Sequence, residues 1–201
     1  MLERASAIAS GLARGGCKPL GDAGVRLGEV RGWSLLQVAG FPGGMAPVET
    51  AITAVCGMPV PARIGTAGRA GGLMLLRTGP DQIWIVAPGD TMAAESALQG
   101  ALPPTSGVLV SLSHSRTRLF IEGPRARDVL AKGIPVDLHP DVFGIDRFAL
   151  TGVDHTPILL HRAAADRYEI FAMRTFALTV WDWMSDAALE FGYEVATPAT
   201  P

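Results

Sequence analysis

The chain has 201 residues, 48% of them hydrophobic and 18% charged, which suits one large domain or two small halves and excludes a disordered chain. A net charge of −2 and a pI near 6.1 remove the bulk attraction that a nucleic-acid or anionic-lipid binder needs. Mean hydropathy is high at +0.28, yet no run reaches the about 18 to 20 apolar residues of a spanning helix, so the apolar excess is read as core or partner surface.

Residues 1–30 are rich in Ala, Gly and charge without sustained periodicity, and are read as an extended arm, ordered by a neighbour if at all. Trp33–Ala39 is the first expected strand, broken by Gly40 to Gly44. Val48, Ile52, Val55 and Cys56 recur at helical spacing, with Gly57 as the stop. Residues 59–72, including the glycine-rich stretch Gly65 to Gly72, read as loop. Strands follow at Leu73–Arg77 and Ile83–Ala87, joined by the turn formers Gly79-Pro80-Asp81. A helix capped by Asp90 or Thr91 runs to about Gln99, and Gly107–Leu112 returns as a strand.

From Arg116 to Ile121 the side chains alternate, so Thr117, Leu119 and Ile121 face a core while Arg116, Arg118 and Phe120 face the other way. Gly123-Pro124 ends the ladder and starts a helix to Lys132. Strands are expected at Arg147–Thr151, Pro157–His161 and Tyr168–Ala172, then a helix from about Arg174 to Phe191 with Phe176, Val180, Trp183, Met184, Ala187 and Phe191 inward. The halves repeat: each has a strand, a Gly/Pro break, a helix, paired strands and a second helix. The expectation is an α+β fold of two interlocked strand–helix–strand–strand–helix halves with antiparallel sheets. The organisation expected is an arm at 1–30, a first half at 31–112, a second at 113–195 and a loose tail at 196–201.

Several stretches together resemble a known family: Gly21-Asp22-Ala23-Gly24-Val25, Gly79-Pro80-Asp81-Gln82, Leu112-Ser113-His114-Ser115-Arg116-Thr117, Ile121-Glu122-Gly123-Pro124, Asp128 to Gly133, Pro135 to Pro140, His161-Arg162, Tyr168-Glu169 and Trp181. Their order is similar to that of the gamma subunit of heterotetrameric sarcosine oxidase. Two departures stand out: Ile83 intervenes before Trp84, and Ser115 stands where glycine is familiar. The resemblance implies a fold like the folate-binding aminomethyltransferase of the glycine cleavage system. It also implies alpha, beta and delta partner subunits, no cofactor on this chain, and FAD, FMN, NAD, zinc and tetrahydrofolate on the others. The implied complex oxidatively demethylates sarcosine to glycine, makes hydrogen peroxide, and passes a one-carbon unit to tetrahydrofolate.

No residue pattern demands catalysis by this chain. Ser113, His114 and Ser115 are adjacent on an extended segment, and the nucleophile-elbow pattern is absent. Asp137, His139 and Asp141 lack a fourth metal ligand. Gly65 to Gly72 matches no nucleotide loop. Arg116, Arg118, Arg125, Arg127 and Lys132 gather positive charge, diluted by Glu122 and Asp128. Cys17 and Cys56 form no C-x-x-C pair and read as reduced thiols. Trp181 and Trp183 lie ~200° apart on a helix, so one must meet another element or another chain. Trp84, His114, Arg116, Arg118 and Trp181 are therefore the candidates for an interface or a vestigial cleft. No catalytic, cofactor or metal residue is assigned, and no nucleic-acid or membrane partner. The start of the chain lacks the about 7 to 15 apolar residues of a secretory leader, and the compartment expected is cytoplasmic. The alternative reading is a stand-alone folate-binding or aminomethyltransferase-like domain. A hydrolase around His114 ranks third.

Overall fold

A computed structural model describes residues 5–17, 22–89 and 92–198. In chain order the elements are α1 (Ala9–Leu12), β1 (Val25–Val30), β2 (Trp33–Gly40), α2 (Met45–Cys56), β3 (Ala67–Ala70), β4 (Leu73–Arg77), β5 (Gln82–Pro88), α3 (Met92–Ala101), β6 (Gly107–Ser111), β7 (Arg116–Glu122), α4 (Ala126–Ala131), β8 (Phe148–Val153), β9 (Thr156–Ala164), β10 (Arg167–Met173), α5 (Ala177–Ala188) and β11 (Tyr193–Val195). The expected cap at Asp90 or Thr91 falls outside the described residues. No described helix is long and apolar enough to cross a membrane.

The chain forms two units: Gly32–His114 is one, and the described residues up to Arg31 join those from Ser115 onward in the other. The continuous unit holds a five-stranded sheet in the order β3-β4-β5-β2-β6, antiparallel throughout. One face carries Leu36, Val38, Leu75, Ile83 and Ile85, packed with Val48 and Ile52 of α2 and Leu98 of α3. The period-2 strands and the 3.6-period helix therefore meet along their apolar faces, and each fully buried Leu or Ile contributes about 1.5 to 3 kcal/mol. α2 ends at Gly57, whose φ of 67° supplies the left-handed cap.

The glycine-rich stretch is a hairpin rather than a loop. Ala70 pairs with Leu73, and Gly71 and Gly72, at φ 56° and 85°, make the two-residue turn that only residues tolerant of positive φ close well. Ala67–Ala70 has little strand propensity of its own. The turn and the pairing with β4 impose the conformation.

The second unit holds a six-stranded sheet in the order β11-β1-β7-β10-β9-β8. The expected arm is corrected here: β1 pairs antiparallel with β7 from Arg26↔Glu122 to Val30↔Arg118, and Ile8 is fully buried. Gly28 and Glu29 interrupt the alternation in Val25–Val30, so no periodicity announces the strand. Likewise the start of the expected tail is tied down, since Ala196 N–H donates to the Leu27 carbonyl at 2.8 Å. The repeat has a twist in its connectivity: β1 precedes β2 but pairs with β7, and β6 precedes β7 but pairs with β2.

The core of this unit joins Leu119 and Ile121 of β7 to Val129 and Leu130 of α4 and to Val180, Trp181 and Met184 of α5. Trp181 faces inward at 2% exposure, and Trp183, expected inward, is partly buried against the same core. Trp181 packs where a Cβ on Gly11 would come within 2.4 Å of its ring, while Trp183 rests against Gly133. The two tryptophans thus meet two elements of one chain. Phe176, expected inward, is 41% exposed because Arg174–Phe176 is a 3₁₀ turn, which shifts its phase from the α-helix that follows. Phe120 does face away from the helices but is buried at 2% exposure. Gly28, opposite it, leaves the space, and the Arg167 guanidinium covers the ring at 4.1 Å.

Candidate functional site

Trp84 and His114 fall in the continuous unit, and Arg116, Arg118 and Trp181 in the other. Trp84, on β5, is 6% exposed, and its indole N–H donates to Gln37 Oε1 at 2.9 Å across the β2–β5 pair. His114 is exposed just beyond β6. Its neighbours are occupied: the Ser113 hydroxyl accepts from Leu35 N–H at 3.0 Å and lies 3.3 Å from the Leu35 carbonyl. The Ser115 hydroxyl receives Arg116 Nη1 at 3.3 Å. Ser113 serves the strand ladder, so its hydroxyl is not aimed for nucleophilic work. Burial lowers the pKa of Arg116 from its usual value. Trp181 is core, which removes it from any surface the chain presents.

Arg118 belongs to the most developed polar cluster in its unit. Its Nε and Nη2 donate to Glu169 Oε2 at 3.0 and 2.8 Å, and its guanidinium lies 5.4 Å from the Phe171 ring centre. Cross-strand register builds this group: β10 sets Glu169 opposite Phe120 and Phe171 opposite Arg118, and β9 sets His161 opposite Glu169. All five side chains share one sheet face. His161 is fully buried, with Nδ1 3.6 Å from Glu169 Oε2 and Nε2 3.4 Å from Asp146 Oδ1. Desolvation alone would raise the Glu169 pKa, but the facing His161 imidazole and the Arg118 charge outweigh it and hold the carboxyl at about 2. A carboxylate that stays ionised is no proton donor near neutrality, and its bonds to Arg118 join β10 to β7. His161 and Glu169 were legible in the sequence only as members of motifs. Their meeting depends on the β9–β10 register, which includes a bulge between Arg167 and Tyr168.

The remaining sequence candidates resolve into local bonds. Asp137 Oδ1 accepts from His139 N–H at 2.9 Å, and His139 Nδ1 accepts from Asp141 N–H at 3.4 Å. Among the described residues no group of three or more His, Cys, Asp or Glu could hold a metal ion. Arg162 clamps the carbonyls of Phe143 and Ala165 at 2.8 Å each. In the basic group, Arg125 pairs with Asp128 at 3.0 Å and Lys132 with Glu190 at 2.8 Å. Burial pushes the Cys56 thiol up, away from thiolate reactivity.

Two of the shared motifs meet at one corner. Gly123 has φ 126°, and a Cβ there would come within 2.7 Å of the Gly24 carbonyl oxygen, so Gly24 and Gly123-Pro124 let β1 lie close on the end of β7. An open cleft of about 510 Å³ beside them is lined by Val25, Arg26, Pro124, Ala164 and Arg167 among others. Glu122 bridges both arginines, at 2.7 Å to Arg26 and 2.5 Å to Arg167, leaving neither as an isolated cation.

Sheets with helices packed on them, and a buried Arg118–Glu169 pair on one sheet face, define an α+β protein of two units. The architecture is that of the glycine cleavage aminomethyltransferases: the crystal structure of aminomethyltransferase T from Bartonella henselae matches with a TM-score of 0.61 over 87% of this chain and 48% of that one. At 18% identity that likeness concerns the fold. The chain belongs to the sarcosine oxidase gamma subunit family, whose family model matches residues 43–190. It is 34% identical over 191 residues to sarcosine oxidase subunit gamma of Corynebacterium sp. (strain U-96), covering 94% of this chain and 92% of the relative. The corresponding Arthrobacter subunit is 35% identical over 145 residues, covering 71% and 70%. A chain of the heterotetrameric sarcosine oxidase from Corynebacterium sp. U-96, solved with pyrrole 2-carboxylate, aligns with a TM-score of 0.84 and 32% identity over 98% of this chain and 99% of that one.

Proposed function

We propose that this chain is the non-catalytic gamma subunit of a cytoplasmic, flavin-dependent heterotetrameric sarcosine oxidase, assembling with alpha, beta and delta subunits. FAD, FMN, NAD, zinc and tetrahydrofolate are held by those other subunits. The complex oxidatively demethylates sarcosine to glycine with hydrogen peroxide as co-product and delivers the one-carbon unit to tetrahydrofolate. The observation that carries this reading is the end-to-end match to a chain of a heterotetrameric sarcosine oxidase. The polar chemistry of the chain supports it, because Arg118, Glu169 and Arg162 are engaged with partners in their own unit. Arg118, one of the residues expected near a folate cleft, is closed on Glu169.

Co-purification from native extract tests the proposal. The expected result is recovery of three further chains with a yellow flavin spectrum and sarcosine-dependent peroxide formation. Recovery of this chain alone and colourless, with saturable quenching of tryptophan emission by tetrahydrofolate, would replace the proposal with a stand-alone folate-binding domain.

A further inference from the structure

Resting on the subunit reading above, we propose that the outer edge of β8 is completed by an extended segment of another subunit, which adds a seventh strand to the six-stranded sheet. β8 lies at the end of its sheet, and among the described residues only β9 pairs with it. Arg162 N–H donates to the Arg147 carbonyl at 2.9 Å, which sets the phase of the ladder. Hydrogen-bonded and non-hydrogen-bonded pairs alternate in an antiparallel ladder. With Phe148 opposite His161, the bonded pairs are Ala149↔Leu160, Thr151↔Ile158 and Val153↔Thr156. Pro157, which has no N–H, falls at a non-bonded pair opposite Gly152, as it must. The backbone donors and acceptors of Phe148, Leu150 and Gly152 therefore point outward over about 14 Å, the length of a five-residue strand.

Natural edges are usually shortened or charged to prevent pairing. β11 has three residues, and β3 has four and carries Arg69. β8 is six residues of Phe-Ala-Leu-Thr-Gly-Val, without charge or proline, and Leu150 is 59% exposed. The segment entering β8 adds Val142 and Ile145, 58% and 53% exposed.

Charge identifies the class of occupant. Residues 141–155 hold Asp141, Asp146 and Asp154 against the single Arg147. The matching segment is an extended strand with an apolar residue over Leu150 and Lys or Arg at its ends. β6 is likewise an end strand of its sheet among the described residues, but residues 103–114 contain no Asp, Glu, Lys or Arg, so nothing there selects a partner by charge.

The test uses the full complex, with Leu150→Lys as the edge variant and Gln99→Lys, on the exposed side of α3, as the charge control. Leu150→Lys is expected to keep its melting temperature within about 2 °C of the wild type and to bind the other subunits at least tenfold more weakly, about 1.4 kcal/mol. Gln99→Lys should assemble normally. In the wild type, amide exchange at Leu150 and Gly152 should slow at least tenfold on assembly, a readout that stands even if the lysine variant fails to fold. Assembly of Leu150→Lys as tight as that of Gln99→Lys, or unchanged exchange at both amides, overturns the edge pairing and leaves the subunit reading intact. Protection of those amides by a second copy of this chain also overturns it. A wild-type chain that binds no other subunit overturns both.

Discussion

Replacing Glu169 with glutamine removes one charge from a fully engaged buried group. The side chain is 5% exposed, and the Arg118 side chain that donates to it is 11% exposed. The carboxyl is held at about 2, against an ordinary value of 4.5. That difference of 4.5 − 2 corresponds to about 3 kcal/mol at neutral pH, similar to the about 3 to 5 kcal/mol cost of leaving a buried charge unpaired. For a chain of this size the melting temperature should fall by about 6 to 12 °C. The pH dependence carries a sign. Because the folded carboxyl ionises more readily than the unfolded one, the unfolded state binds more protons as pH drops from about 4.5. The stabilisation is therefore complete above about 4.5 and is lost as pH falls through about 2. Calorimetry of wild type and Glu169→Gln at pH 7 should show the full gap, and urea titrations between pH 5 and 2 should show it closing. A gap below about 2 °C at pH 7, or one that stays constant down to pH 2, would refute the assignment of Glu169 as the carboxylate that anchors β7 to β10.

We predict three further outcomes. Gly123→Ala should cost about 1 to 3 kcal/mol, measured by urea denaturation, because a Cβ at φ 126° meets the Gly24 carbonyl at 2.7 Å; an unchanged midpoint contradicts that account of the Gly-Pro corner. Trp181→Ala should lose about 3 to 5 kcal/mol, with the loss visible in the isolated chain, as befits a core residue; a normal melt with failed assembly would make Trp181 an interface residue instead. His114→Ala should leave stability within about 0.5 kcal/mol and any background ester or amide hydrolysis by the chain unchanged, since the exposed imidazole has occupied serines on both sides; loss of such hydrolysis in the variant would revive the hydrolytic reading.

Most elements were legible because local chemistry specified them. Trp33–Ala39, Leu73–Arg77 and Arg116–Ile121 have strand composition between turn formers, and Val48, Ile52 and Val55 lie on one helical stripe. The signals failed where a partner imposes the conformation. Ala67–Ala70 is a strand because Gly71-Gly72 folds it onto β4, and Val25–Val30 is one because β7 and β11 accept it on both sides. Phase at the start of α5 was another such case: a 3₁₀ turn at Arg174–Phe176 leaves Phe176 outward.

The sequence by itself determined the family, through short motifs in a fixed order, and the α+β class, through periodicities of 2 and 3.6 that depend only on neighbouring residues. Tertiary structure alone decided which distant residues meet. Arg118 and Glu169 are 51 positions apart, and only the β7–β10 register makes them a pair. The same holds for the exchange of β1 and β6 between the repeats and for the outward groups of β8, because hydrogen-bond direction along a strand is set by its partner and not by its own side chains.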